Sequence, residues 1–310
     1  MKRLKNPVIL IAGSGNTTGV NVIKALLNEY RVIGSDYNYI NAANKICRNI
    51  VVSPANHKNY SSDILKIIDD YDVTHIISTN DHDTRTLLGM HDIFVEKGVI
   101  HNGYCSNALA LLDKELTTEL FRANNIRTPM LLSEHRLPFV LRKKEMGSKS
   151  KFLYIAKDET DIEKIPIDCF DNGIITEFVE GVEFTIDVLC NDESDAICVI
   201  PRQRLEVKGG MVWHGKISYE EALIDIVKSI CKKLRLVGIM CLQCLKTETN
   251  EYTFIEINPR AGSGIDLSVN GGCNLPALWV KSTINTAYEI PSPDWGLEMI
   301  RYNSAYFFHA

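Results

Sequence analysis

No apolar run in the chain approaches the roughly 20 residues that a membrane-spanning helix requires, so no membrane partner is expected. The basic start Met1-Lys2-Arg3-Leu4-Lys5 leads into an apolar stretch that stops at Gly13-Ser14-Gly15-Asn16, too short and too polar for a secretory core. Charge of one sign is also lacking. Lys and Arg number 34 against 39 Asp and Glu, a net charge of −5, which argues against a general nucleic-acid binder. The nine cysteines are odd in number and scattered through apolar segments, so no disulfide framework is implied and reduced thiols in a cytoplasmic protein are expected. No G-x-x-x-x-G-K-[ST] loop, no G-x-S-x-G elbow and no internal repeat occurs. His82 and His91 share no metal-ligand spacing, and Cys241 and Cys244 fall three apart on an expected strand, where they face opposite sides.

What is present is the composition of a soluble, enzyme-sized globule: 310 residues, 45% hydrophobic and 24% charged. At about 150 residues per domain that suggests two domains, with room for a small insert. The first hundred residues alternate apolar runs (7–12, 31–36, 73–78) with amphipathic stretches (17–28, 61–70), a rhythm that predicts a parallel sheet covered by helices. Val20, Ile23 and Leu27 are expected to form the apolar face of the first helix. A further helix is expected to open near Asp113, with Leu116, Leu120 and Phe121 on one side, and to halt at Thr128-Pro129. From Pro138 the period shortens to strands at 139–142, 152–156, 173–178, 183–190 and 196–203, then a helix at 219–234, so the second half reads as α+β. A hairpin is predicted at 238–246 and 252–258, with Thr249-Asn250 as its turn.

Four constellations could carry chemistry. Gly13-Ser14-Gly15-Asn16-Thr17-Thr18-Gly19 with Asp36 approximates a dinucleotide fingerprint, but its third glycine comes one residue late, which favours a plain strand-to-helix turn over a bound dinucleotide. Gln243 lies across the predicted hairpin from Glu256, and Asn258 shares Glu256's face, while Ile255 and Ile257 face the other way. One carboxylate and two amide oxygens form a hard-ligand set suited to Mg²⁺, with Arg260 just beyond; a solvated polar hairpin face is the alternative. Arg142-Lys143 and the loop Gly147-Ser148-Lys149-Ser150-Lys151 could hold phosphates or form a basic surface loop. Glu177, Glu180 and Glu183 flank a glycine turn and could hold ribose or a base amino group, or lie exposed.

In this order the four resemble the ATP-grasp superfamily, most closely the synthetase units of the carbamoyl-phosphate synthetase large chain. The resemblance covers essentially the whole chain. It implies an N-terminal Rossmann-like, pre-ATP-grasp domain (1–110), a linking helix with a lid subdomain (111–182), and a catalytic antiparallel-sheet domain (183–310). By position, Lys114, Arg142, Ser148 and Lys149 then correspond to residues around the nucleotide phosphates, Glu177 and Val179 to the hinge that meets adenine, and Glu183 to the ribose-binding acid. Gln243, Glu256 and Asn258 correspond to the metal ligands and Arg260 to the phosphate-stabilising arginine. Lys143 and Ser150 depart from the family pattern. The resemblance implies ATP and Mg²⁺, with Mn²⁺ as a substitute, and a ligase that activates a small-molecule carboxylate as an acyl phosphate for capture by an amine; a homodimer is left open. Arg202 and Arg204 share a face on an extended strand, which suits a clamp in which Arg202 binds the substrate carboxylate; the alternative is that both arginines only pair surface acids. Two other readings stay open: a catalytically silent ATP-binding sensor or partner protein, suggested by Lys143 and Ser150, and an NAD-dependent oxidoreductase, suggested by the glycine turn and Asp36.

Overall fold

The computed structural model describes residues 7–144, 152–284 and 286–308. Strand β1 (Val8–Ala12) is buried along its whole length. A short, wholly apolar strand of this kind needs cover on both faces, which a parallel sheet with helices on each side supplies. The sheet is completed by β2 (Arg31–Asp36), β3 (Arg48–Val51), β4 (His75–Ser78) and β5 (Ile100–His101), in the order β3-β2-β1-β4-β5. Helices α1 (Thr17–Leu26), α2 (Tyr60–Tyr71), α3 (Asp81–Leu88) and α4 (His91–Lys97) make the connections. Winding runs outward from β1 to β3, then restarts at β4 on the other side. The carboxyl ends of β1 and β4 therefore flank the point where clefts open in such sheets.

The buried face of α1 is Thr18, Gly19, Val22, Ile23 and Leu26, so the expected apolar stripe through Val20 and Leu27 is displaced: Leu27 is exposed. Helix α5 (Lys114–Ala123) starts where the sequence places it, with the Asp113 carboxylate accepting from the Glu115 and Leu116 amides. It ends before Thr128-Pro129, and Leu116 faces solvent while Thr117, Thr118 and Phe121 are buried.

A three-stranded sheet follows, β6 (Phe139–Lys143), β7 (Leu153–Ala156) and β8 (Gly173–Glu177), with β6 in the middle, and the short helices α6 (Glu159–Ile162) and α7 (Asp168–Asp171). It has a small core of its own around Phe139, Leu141, Ala156, Ile165 and Cys169. The last and largest sheet comprises β9 (Val182–Cys190), β10 (Ala196–Lys208), β11 (Met211–Ile217), β12 (Gly238–Lys246), β13 (Tyr252–Asn258) and β14 (Glu298–Ile300), in the order β13-β12-β9-β10-β11-β14. Helix α8 (Glu221–Leu234) precedes β12, and α9 (Ile265–Asn270) and α10 (Leu275–Thr283) follow β13.

The parallel sheet and the largest sheet share their cores. One cluster joins Ile9, Ile11 and Val22 to Leu189, Ile239 and Trp279; another joins Leu111, Leu112 and Phe121 to Val188, Met240 and Phe254. Asn102, just past β5, makes the join polar as well: its carbonyl accepts from the Ile239 amide at 2.7 Å and its amide donates to the Ile239 carbonyl at 3.3 Å. Among the described residues no helix is long and apolar enough to cross a membrane.

The β12–β13 hairpin corrects one expectation and meets another. Its turn is not two residues: the Thr247 amide donates to the Glu251 carbonyl, with Asn250 at φ 60, and Lys246 pairs with Tyr252. That register is one place out from the expected one, yet a bulge between Gln243 and Cys244 restores it, and Gln243 does pair with Glu256. The bulge turns Ile255 toward the cleft, where the sequence reading had it facing away.

Candidate active site

The three sheets enclose a cleft of about 1340 Å³. One rung of the largest sheet crosses its floor: Glu256 pairs with Gln243, Gln243 with Thr185, and Thr185 with Arg202. With strands about 4.8 Å apart, Arg202 stands two strands, roughly 10 Å, from Gln243.

At one end of that rung, Glu256 is the centre of a polar cluster. Its Oε1 accepts from Asn258 Nδ2 at 3.0 Å, and its Oε2 lies 3.7 Å from Lys114 Nζ. Burial pushes the Glu256 carboxyl up, but Lys114, the Asn258 hydrogen bond and Arg142 outweigh it and hold the group below the usual carboxylate range. Asn258 Oδ1 accepts from Arg260 Nη2 at 3.0 Å, and Arg260 Nε donates to Asp81 Oδ1 at 2.6 Å. Among the described residues no group of three His, Cys, Asp or Glu side chains is set to hold a metal. The donors available here are one carboxylate and the Gln243 and Asn258 amides, an all-oxygen set that fits Mg²⁺ carried with phosphates better than a softer ion.

Arg142, at the inner end of β6, is 6% exposed and donates from Nη1 to the Ile255 carbonyl at 3.3 Å. Its Nε and Nη2 are enclosed with no hydrogen-bond partner among the described residues. Two orphaned guanidinium nitrogens in a protein interior call for an anion. Burial pulls the group below its ordinary arginine value, with Glu256 opposing. Ser148 and Lys149, also expected at the phosphates, lie outside the described residues.

The segment joining β8 to β9 lines the same cleft. Glu177 Oε1 accepts from the Met130 amide at 3.0 Å, which fixes the carboxylate and leaves its second oxygen uncommitted. The backbone N–H and carbonyl of Val179 have no partner among the described residues. Glu183 is paired with Arg204 Nη1, and Arg204 Nη2 donates to the Gly210 carbonyl at 2.9 Å. Burial, reinforced by Glu256 and opposed by Arg204, lifts the Glu183 carboxyl above its usual value.

Arg202 differs from the expected two-point clamp. It is 1% exposed, and its Nε and Nη2 both donate to Asp187 at 2.8 Å. Asp187 in turn accepts from Ser268 Oγ at 2.6 Å. Only Nη1 is left to meet the cleft, beside Gly264, whose missing side chain keeps the approach open: a Cβ there would lie 2.3 Å from Nη1. Arg204 is occupied by Glu183, so the two arginines do not act as a pair.

The glycine turn is held by its own backbone bonds, as the plain strand-to-helix turn requires. The Gly13 and Ser14 amides donate to the Ser35 carbonyl, and Asp36 accepts from the Gly15 amide at 2.9 Å and the Asn38 amide at 2.8 Å. Each Asp36 carboxylate oxygen thus accepts one backbone N–H, which ties the turn to the end of β2. The N-terminal sheet brings Asn16, Thr17, Thr18, Asn80, Asp81 and His82 to the cleft; the sequence motifs mark the first three only as part of a glycine turn and His82 only as lacking metal-ligand spacing, and leave Asn80 and Asp81 unmarked. A usable signal existed, since polar residues directly after β1 and β4 sit where an open parallel sheet reverses its winding.

A family model described as ATP-grasp in the biosynthetic pathway with Ter operon matches residues 169–304, and one described as a PylC-like N-terminal domain matches residues 9–101. No curated protein matches the chain. Solved structures resemble it throughout. The ADP complex of purK, an N5-carboxyaminoimidazole ribonucleotide synthetase, superposes with a TM-score of 0.78 at 13% identity, covering 97% of this chain and 83% of that one. The same synthetase from Thermotoga maritima gives 0.68 at 20% identity, covering 93% and 78%. An L-amino acid ligase from Bacillus licheniformis gives 0.67 at 14% identity, covering 92% and 75%.

Proposed function

We propose, from the match of residues 169–304 to an ATP-grasp family model, that the chain is an ATP-dependent ligase that activates a small carboxylate as an acyl phosphate and passes it to an amine. The observation that carries this reading is the meeting of Glu256, Gln243, Asn258 and Arg260 with Lys114 and the unsatisfied Arg142 at one end of a single cleft.

Such a reaction needs no side-chain nucleophile. Its obstacle is electrostatic, because a carboxylate and a triphosphate repel one another until cations are set between them. Arg142 and Lys114 are positioned to neutralise phosphate oxygens, and Arg142 would gain there the partners it lacks. Gln243, Glu256 and Asn258 would hold Mg²⁺, which when bound withdraws charge from the phosphates. Val179's free backbone groups and the second oxygen of Glu177 suit the edge of adenine, and Glu183 the ribose. Arg260 would face the transferring phosphoryl group, and Arg202 Nη1 the acceptor carboxylate. The carboxylate oxygen then attacks the γ-phosphorus as ADP leaves, and the amine nitrogen displaces phosphate from the acyl carbon. The likeness to an amino acid ligase supports beginning with amino acids.

The test is a screen of amino acids and small carboxylates for ADP and phosphate release with Mg-ATP and with Mn-ATP, repeated with Glu256→Gln. Release stimulated by one acid, requiring the divalent ion and lost in the variant, is the expected result. ATP binding without stimulated release would identify a silent sensor and end the ligase reading.

A further inference from the structure

Arg260 is held from three directions. Its Nε donates to Asp81 at 2.6 Å, its Nη1 to the Ala261 carbonyl at 3.1 Å and its Nη2 to Asn258 Oδ1 at 3.0 Å. Two of those anchors come from its own strand end. The third comes from the first residue of α3, at the carboxyl end of β4 in the other sheet, 179 positions away in sequence. A guanidinium has five N–H groups; with three engaged, one on each Nη is left, and Arg260 lines the cleft in which an oxyanion can meet them. The Asp81 and Arg260 side chains are only 19% and 17% exposed, so solvent does little to weaken their pairing.

Resting on the ligase reading above, we infer that Asp81 is a positioning residue for phosphoryl transfer: it fixes the plane of the Arg260 guanidinium so that its free fork faces the transferring group. The N-terminal sheet then completes the phosphoryl-transfer centre as well as walling the cleft. Asp81 does this through Arg260, without touching the nucleotide. Its removal should therefore spare the ground state and weaken the transition state.

The two states can be separated without knowing the acceptor. Affinity for Mg-ADP alone reports ground-state nucleotide binding, and affinity for Mg-ADP with aluminium fluoride reports a mimic of the transferring phosphoryl group. In the unmodified chain fluoride should tighten Mg-ADP by at least about tenfold. Asp81→Asn should keep Mg-ADP affinity within about twofold and lose most of the tightening, and Asp81→Glu should recover a large part of it. An Asp81→Asn protein that tightens like the unmodified chain overturns the inference. So does one that loses Mg-ADP affinity in proportion, since that marks a general structural role. An unmodified chain that binds Mg-ADP but gains nothing from fluoride overturns the phosphoryl-transfer reading itself, and this inference with it.

Discussion

Gln243 and Glu256 face each other across the β12–β13 hairpin because Ile255 takes up one place in β13 that β12 has no residue to match. The bulge brings the carboxamide and carboxylate to the same rung and offers the Ile255 carbonyl to Arg142. Glu256 is the only carboxylate of the proposed metal set. Glu256→Gln should lower Mg-ATP turnover by about 10²- to 10³-fold and raise the Mg²⁺ concentration needed for half-maximal rate. Initial rates across a Mg²⁺ titration check this. Unchanged Mg²⁺ dependence would remove Glu256 from the set.

Arg142 should trade stability for binding. Its Nε and Nη2 lack partners in the interior, and replacing such a group by an apolar one of similar length is neutral or stabilising by about 1–3 kcal/mol. Arg142→Met is therefore expected to resist urea at least as well as the parent in the absence of nucleotide, while Mg-ATP affinity falls by about 10-fold or more. Equilibrium denaturation and nucleotide titration of the same sample would expose a loss of both, which contradicts the assignment.

Arg202→Ala is a poor probe of the acceptor site, because it strands Asp187 in the interior at a cost of about 3–5 kcal/mol. Gly264→Ala is better. Its methyl group would lie 2.3 Å from Nη1 and 3.2 Å from Cζ, so the guanidinium must shift at its cleft-facing end, but a cation is kept to pair with Asp187. The acceptor KM should rise about tenfold or more, with the KM for Mg-ATP within about twofold. An equal rise in both would place the acceptor carboxylate elsewhere.

Two buried histidines should make the fold sensitive to acid. Burial pushes His75 down to about 4, and burial together with His91 pushes His101 down to about 3. In the unfolded chain both take up a proton near pH 6.5. Their contribution is thus complete above about pH 6.5 and declines as pH falls, through about 4 for His75 and about 3 for His101. For His75 the full loss is about 3 kcal/mol. Among the described residues His101 has no hydrogen-bond partner at either nitrogen, so His101→Leu should leave stability at pH 7 unchanged or higher and flatten its decline in acid. Urea midpoints from pH 4 to pH 8 decide it; a variant with the parent's slope would show that His101 does not titrate with unfolding.

The sequence revealed most where local chemistry decides the outcome. Asp113 capping α5, the bounds of the β12–β13 hairpin and the parallel N-terminal sheet all follow from capping, turn and period rules. The pairing of Gln243 with Glu256 follows from a two-residue turn in the sequence but is reached otherwise in the fold, where a one-place shift in register at a longer turn and a bulge offset one another. Neither is written in hydrophobic periodicity. Strands β11 and β14 were missed because β10 runs on to Lys208 and its partner follows directly through Gly209-Gly210. Asp81 and the single free nitrogen of Arg202 depend on which charges meet across long sequence separations, and residue spacing carries no information about that.

Asn102 and the shared cores bear on how the molecule comes apart. With Ile239 stitched to the end of β5 and one apolar cluster running through both large sheets, the two are expected to melt together; a cut near residue 101 would yield fragments with open, insoluble faces. The β6–β8 unit has its own nucleus and is the one piece free to loosen on heating while the remainder holds, so a small early calorimetric shoulder should belong to it.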